Sequence, residues 1–192
     1  MSKVVVLTNL TLDGVMQGPA GPDEDRQGGF EHGGWAAPYA AMEATGNNFA
    51  SAGALLFGRR TYENFYAVWP KRTNSPYTEF LNTIPKYVAS TTLKEPLPWS
   101  NSTLLKGDAT QAVSQLKEQP GKDLLIMGSG ELIQSLMRAN LIDDYVLLIH
   151  PLVLGSGRRL FPDGGAAATL RLVATSTTDK GVVIATYRPA SQ

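Results

Sequence analysis

The chain has 192 residues, with 17 Lys+Arg against 17 Asp+Glu, two His, no Cys, 19 Gly, 43% hydrophobic and 18% charged residues. A length of this order suits one domain over residues 1–192. Balanced charge without a basic run excludes a mainly electrostatic nucleic-acid binder, and the lack of cysteine excludes disulfide scaffolds, thiolate zinc sites, Cys nucleophiles and thiol redox chemistry. No metal-ligand set stands out, no apolar run nears the roughly 18 residues of a membrane span, and the apolar run at residues 4–7 falls short of a signal-peptide core of about 7–15 residues, so a cytoplasmic protein is expected.

Residues 3–12 are β-branched and apolar almost without interruption, the pattern of a central strand covered on both faces, and Asp13-Gly14 ends it. Residues 17–34 carry Gly18, Pro19, Gly21, Pro22, Gly28 and Gly29, so they form no regular element and are too long for a simple connection. With little apolar surface to anchor it, this segment is expected to be a mobile lid, and Glu24 and Asp25 read as solvated or as lid carboxylates. The alanines of residues 35–45 predict a helix that Gly46-Asn47-Asn48 stops. Residues 54–57 predict a short strand, after which Gly58-Arg59-Arg60-Thr61 opens a helix burying Tyr62, Phe65 and Tyr66, with Trp69-Pro70 as packing. Residues 87–89 and 103–105 are further short strands. Asp108 and Gln111 have capping-box spacing for a helix burying Ala112, Val113 and Leu116.

Residues 124–127 form another apolar strand, followed by Gly128-Ser129-Gly130 and a helix with Leu132, Ile133, Leu136 and Met137 on one face. Residues 145–154, 170–176 and 182–187 are then strand-like, and Lys180-Gly181 reads as a hairpin tip. Alternating β and α units followed by consecutive strands predict an α/β fold: a mostly parallel central sheet, helices on both faces and antiparallel C-terminal edge strands. Residues 145–154 are more apolar than a monomer's edge strand should be, which predicts a homodimer built on the C-terminal strands.

Three places carry chemistry. Gly58-Arg59-Arg60-Thr61 joins a strand end to a helix start, where unpaired N–H groups, the helix dipole and two guanidinium groups suit a phosphate; it reads equally as an ordinary helix start with solvated cations. Gly128-Ser129-Gly130-Glu131 repeats the arrangement, although Ile133 replaces the third glycine of the dinucleotide fingerprint and no P-loop occurs. Asp13 stands where the first strand ends, the edge at which open α/β sheets bind ligands, and reads as a proton donor, an amine anchor or a plain turn residue.

These residues fall into an ordered set: Thr11-Leu12-Asp13-Gly14, Leu56-Phe57-Gly58-Arg59-Arg60-Thr61-Tyr62-Glu63, Pro85-Lys86-Tyr87-Val88-Ala89-Ser90, Leu125-Ile126-Met127-Gly128-Ser129-Gly130, and His150-Pro151-Leu152-Val153-Leu154-Gly155-Ser156-Gly157 before Leu160-Phe161. Over nearly the whole chain the set resembles the dihydrofolate reductase-like superfamily, and within it the C-terminal reductase domain of bifunctional riboflavin-biosynthesis deaminase-reductases, in stand-alone form. That resemblance implies a three-layer α/β/α fold that binds NADPH. Gly58, Arg59, Arg60 and Thr61 would hold phosphates, Ser90 and Thr91 would flank the adenosine 2′-phosphate, and Gly128, Ser129, Gly130 and Glu131 would cradle the pyrophosphate and border the nicotinamide.

Asp13 would lie near the hydride-transfer pocket as the catalytic residue. His32 and Trp35, beside the long loop, read either as binding a flat heteroaromatic substrate by stacking or protonation, or as an exposed loop histidine and a core anchor. The expected function is an NADPH-dependent reductase acting on a C=N or C=O bond of a small heterocyclic or sugar-derived molecule, similar to reductases of 5-amino-6-(5-phosphoribosylamino)uracil. The alternative is a non-catalytic NADPH- or nucleotide-binding protein. The zinc-ligand Cys/His motifs of a deaminase domain are absent from the sequence, and the Glu31-His32-Gly33-Gly34-Trp35 loop departs from the reductase pattern.

Overall fold

The computed structural model describes residues 1–41, 46–72 and 76–190. Strand β1 (Val4–Thr11) is buried at every position except Asn9, as its unbroken apolar run requires of a strand with both faces covered. Helix α1 (Gly46–Ser51) leads into β2 (Ala52–Gly58), and α2 (Arg59–Val68) follows β2 directly. Helix α3 (Pro76–Thr83), β3 (Lys86–Ala89) and β4 (Ser102–Leu105) come next, then α4 (Ala109–Glu118), β5 (Asp123–Met127) and α5 (Gly130–Arg138). Strands β6 (Asp144–His150), β7 (Leu170–Thr177) and β8 (Val183–Pro189) complete the order.

One eight-stranded sheet runs β4-β3-β2-β5-β1-β6-β8-β7. The first six positions pair in parallel, while β8 joins β6 and β7 joins β8 antiparallel. Alternation along the strands separates two cores. Val4, Val6, Leu56 and Ile126 pack with Val113 of α4 and Ile133 and Leu136 of α5. Val5, Leu7, Leu55, Phe57 and Leu125 pack on the other face with Phe49 of α1, Tyr62 of α2 and Leu81 of α3. Leu55 and Leu56, both fully buried, thus hold opposite layers, and truncating either to alanine costs about 2–5 kcal/mol. This is the three-layer α/β/α arrangement, with a mostly parallel sheet and antiparallel C-terminal strands, expected from the sequence. No helix among the described residues is long and apolar enough to cross a membrane.

Four local expectations need correction. The helix expected over residues 35–45 is only a 3-10 turn at Ala37–Tyr39 within the described part, with residues 42–45 outside it; Pro38 removes an N–H and Ala40 adopts a left-handed φ of 50°, which together override the alanine composition. Gly46 begins α1 where a stop was expected, and α3 was not anticipated. Tyr62 is buried, whereas Tyr66 on the same helix is 36% exposed. Finally, the strand expected over residues 145–154 ends at His150 and is central, paired with β1 and β8, so its apolarity reflects burial and carries no argument for a dimer. The outer strand is β7, exposed from Arg171 to Thr177.

Candidate active site

The carboxyl ends of β1, β2, β3, β4 and β5 open into one cavity of about 1610 Å³. That exceeds the roughly 300–1,000 Å³ of an ordinary small-molecule site and suits an extended ligand or two ligands side by side. All ten residues that the resemblance assigned to the cofactor line it: Gly58, Arg59, Arg60, Thr61, Ser90, Thr91, Gly128, Ser129, Gly130 and Glu131. A shallower groove of about 810 Å³ outside β4, bordered by Pro85, Pro96 and Trp99, gathers none of them.

The β2–α2 and β5–α5 turns are tied into one unit because β2 and β5 are neighbours. The Gly58 N–H donates to Ser129 Oγ at 2.9 Å, and the Ser129 N–H donates to Thr61 Oγ1 at 3.0 Å. Gly128 has a φ of 63°, and a Cβ there would come within 3.1 Å of Thr61, so glycine is what permits this close approach. Neither Gly58 nor Ser129 caps its helix with a side chain, leaving the first-turn N–H groups of α2 and α5 available. Helix α4 differs: Asp108 accepts from the N–H groups of Thr110 and Gln111 and closes its own end. Arg59 pairs with Glu63 at 2.9 Å and Arg60 with Glu131 at 3.2 Å, both at exposed positions. Such pairs contribute little stability, so an incoming phosphate can take over the guanidinium groups at small cost. Ser90 and Thr91 reach the same cavity from the end of β3, with Ser90 Oγ accepting from the N–H groups of Thr92 and Leu93.

The substrate-side expectations fare differently. Asp13 does not line the cavity. Its Oδ1 accepts from the Thr11 hydroxyl at 2.5 Å and the Leu154 N–H at 3.2 Å, and its Oδ2 accepts from the Gly155 N–H at 2.9 Å. The Thr11 hydroxyl above all holds this carboxyl below the ordinary aspartate range, with the two N–H groups acting in the same sense. The structure therefore makes Asp13 a brace between the β1 turn and the loop after β6. His32 is exposed and away from the cavity, edge-on to Phe30. Trp35 is buried at 8% exposure, packs with Val15, Phe30 and Ala36, and donates Nε1–H to the Gln17 carbonyl at 2.7 Å, so it anchors a small core and does not line the cavity.

Nor does the 17–34 segment lack anchors. Gln17, buried, donates to the carbonyls of Asp25 and Gln27 and to Asp25 Oδ1, and accepts from the Arg158 N–H. The Arg158 guanidinium pairs with Asp25 and bonds Gln27 at 3.0 Å. Glu24 is half-buried in the cavity wall; its Oε2 accepts from the N–H groups of Ala20 at 2.6 Å and Gly21 at 3.3 Å, and its carbonyl accepts from Asn64 of α2. Burial pushes the Glu24 carboxyl above the ordinary glutamate range against those two bonds, and Asp25 adds to the rise.

The aromatic wall lies elsewhere in the cavity. Phe49, Phe65, Trp69 and Tyr77 line it, with Phe49 against Tyr77 at 5.3 Å, Phe65 against Trp69 at 6.2 Å and Arg72 over the Trp69 ring at 4.8 Å. Phe65 and Trp69 are four residues apart on a helical register, a spacing visible in the sequence but read there as packing. A flat ring in this half would meet aromatic faces, while phosphates in the other half would meet N–H groups and guanidinium cations.

A family model, the RibD C-terminal domain, matches residues 2–184. Uncharacterized protein YyaP of Bacillus subtilis (strain 168) is 31% identical over 137 residues, covering 69% of this chain and 72% of its own. A putative riboflavin biosynthesis protein from Shewanella sp. PV-4 superposes over 100% of both chains with a TM-score of 0.70 at 21% identity. Dihydrofolate reductase from Enterococcus faecalis, complexed with NADP(H) and RAB-propyl, superposes over 98% of this chain and 97% of its own with a TM-score of 0.62 at 14% identity. The two structural likenesses concern the fold, and the match over residues 2–184 places the chain in the RibD C-terminal domain family.

Proposed function

We propose that the protein is an NADPH-dependent reductase that transfers hydride to a C=N or C=O bond of a small heterocyclic or sugar-derived molecule. Membership of the RibD C-terminal domain family supports an oxidoreductase of the riboflavin-pathway reductase type. The observation that carries the cofactor assignment is the pair of adjacent helix starts without side-chain caps, α2 and α5, bridged through Ser129 and Thr61 at one end of a cavity whose other half is aromatic. The donor set fits a dinucleotide: Gly128, Gly130 and the first turn of α5 for the pyrophosphate, Arg59 or Arg60 with Ser90 and Thr91 for the 2′-phosphate.

When bound, NADPH supplies the hydride. The aromatic wall orders the acceptor ring beside it and excludes water. Glu24 holds the proton that the reduced nitrogen or oxygen requires: its carboxyl is kept protonated more readily than an ordinary glutamate, it lines the cavity, and its Oε1 has no hydrogen-bond partner among the described residues. The exposed outer strand β7 makes a homodimer joined at that edge the expected assembly; sedimentation at micromolar concentration should give twice 20.6 kDa, and a species of 20.6 kDa alone would exclude it.

The test of the activity is to mix protein and NADPH with a panel of pterins, pyrimidines and quinoid carbonyls and follow the absorbance of the reduced nicotinamide. Substrate-dependent loss of absorbance is expected. Tight NADPH binding with no oxidation across the panel would instead favour the non-catalytic binding protein.

A further inference from the structure

Glu24 reaches the cavity from a stretch of chain that is pinned at both ends. The Gly34 N–H donates to the Gly18 carbonyl at 2.8 Å and the Ala36 N–H to the Pro19 carbonyl at 2.9 Å, while Asp25 is paired with Arg158. Between these anchors the Glu24 N–H donates to the Gly21 carbonyl at 3.2 Å, closing a turn around Pro22 and Asp23. All of these bonds tie loop to loop. Glu24 itself is tied to helix α2, where Asn64 Nδ2–H donates to its carbonyl at 2.9 Å.

Asn64 stands one turn after Arg60 and Thr61 on α2, and all three line the cavity. Asparagine is a weak helix former because its carboxamide competes with the backbone for hydrogen bonds; at position 64 that carboxamide bonds the loop. Among the described residues no other side chain of α2 does so: Arg59 pairs with Glu63, Arg60 with Glu131, Thr61 accepts from the Ser129 N–H and Tyr62 from the Trp99 N–H. With its N–H, its carbonyl and Oε2 each held, Glu24 keeps one setting of its carboxyl in the cavity wall. Loss of the Asn64 bond frees the carbonyl and the torsion beside it, and a carboxyl loosened from the wall takes up water, which undoes the burial that favours its protonated form. Of the charged side chains that share the cavity, Asp23, Asp25, Arg59, Arg60, Glu131 and Arg158, Asp25 is the one that acts on the Glu24 carboxyl, in the same sense as burial.

We propose that Asn64 is a positioning residue: it holds Glu24 against α2, so that the helix whose first turn faces the cofactor phosphates also places the proton donor for the acceptor. The inference rests on the reading of Glu24 as that proton donor.

The closing experiment labels glutamate at the carboxyl carbon and follows its titration by NMR in protein without added ligand, the Glu24 signal being identified by its loss in Glu24→Gln. Wild-type Glu24 should titrate above the ordinary glutamate range. Asn64→Ala should shift the midpoint down toward that range, and Asn64→Leu, which keeps the volume without the donor, should do the same. Asn64→Gln, which returns a carboxamide donor, should recover most of the rise. Asn64→Ala should melt a few degrees below wild type and bind NADPH as wild type does. An unchanged Glu24 midpoint in Asn64→Ala and Asn64→Leu would overturn the assignment of Asn64 while leaving Glu24 as the acid. Weakened NADPH binding in Asn64→Ala would overturn it too, by moving Asn64 to the cofactor wall. A wild-type Glu24 that titrates in the ordinary range would overturn the reading of Glu24 as proton donor, and this inference with it.

Discussion

Across the cavity, residues 58–61 and 128–131 face residues 17–25, and the two walls keep their shape by different means. The strand-end wall is local: a buried strand stops at a glycine, a helix starts, and the N–H groups that a phosphate needs belong to neighbouring residues in sequence. The loop wall is made at long range. Asp25 is held by Arg158, 133 residues away, Glu24 by Asn64, 40 residues away, and Trp35 by the Gln17 carbonyl. Substitutions in the first wall should therefore alter ligand binding with the fold intact, whereas anchor substitutions in the second should show first as lost stability.

The largest effect should come from Trp35→Ala. Removing this buried ring should cost about 3–5 kcal/mol of stability in thermal or denaturant unfolding; a stable variant that had lost only substrate affinity would return Trp35 to the substrate site. His150, packed against Trp35, adds a pH dependence. Its pKa is about 4 in the folded protein and about 6.5 in the unfolded chain. As pH falls below 6.5 the unfolded chain takes up a proton that the folded protein refuses, so stability declines toward pH 4 by up to about 3 kcal/mol. Unfolding curves across this range should show that slope in the wild type, and His150→Gln should remove the part due to this residue.

Two carboxylates sharpen the contrast further. Glu24→Gln should lower turnover by about 10²-fold with little change in NADPH affinity, the scale of a positioned acid. Asp13→Asn should leave turnover near wild type and lower the melting temperature by a few degrees; a 10²-fold loss of turnover there would restore Asp13 as the proton donor. Cofactor choice contrasts with both. Replacing by alanine whichever of Arg59 and Arg60 reads the 2′-phosphate should weaken NADPH by roughly 10- to 100-fold and NADH hardly at all. Equal weakening of both cofactors would move that arginine to the pyrophosphate.

Much of this was legible in the sequence, for reasons specific to each region. β1, β2 and β5 announce themselves because strands buried on both faces cannot tolerate polar alternation, and the two glycine turns because a strand-to-helix reversal needs glycine at Gly128. The cofactor wall follows from those turns and from the resemblance. The substrate wall did not, since nothing in the order of residues 17–34 reveals that Gln17 will bury its amide among Asp25, Gln27 and Arg158. Asp13 misled for a related reason. Its place at the carboxyl edge was read correctly, but the N–H groups that hold it come from Leu154 and Gly155, 141 and 142 residues away. Composition failed at residues 35–41, where one proline outweighed a run of alanines.

The central claim is that the paired starts of α2 and α5 grip the phosphates of NADPH. A crystal structure of the protein soaked or grown with NADP⁺ tests it most directly. The account predicts pyrophosphate oxygens within hydrogen-bond reach of the N–H groups following Gly58 and Ser129. A dinucleotide seated in the groove outside β4, or with its phosphates turned away from both helix starts, would contradict it.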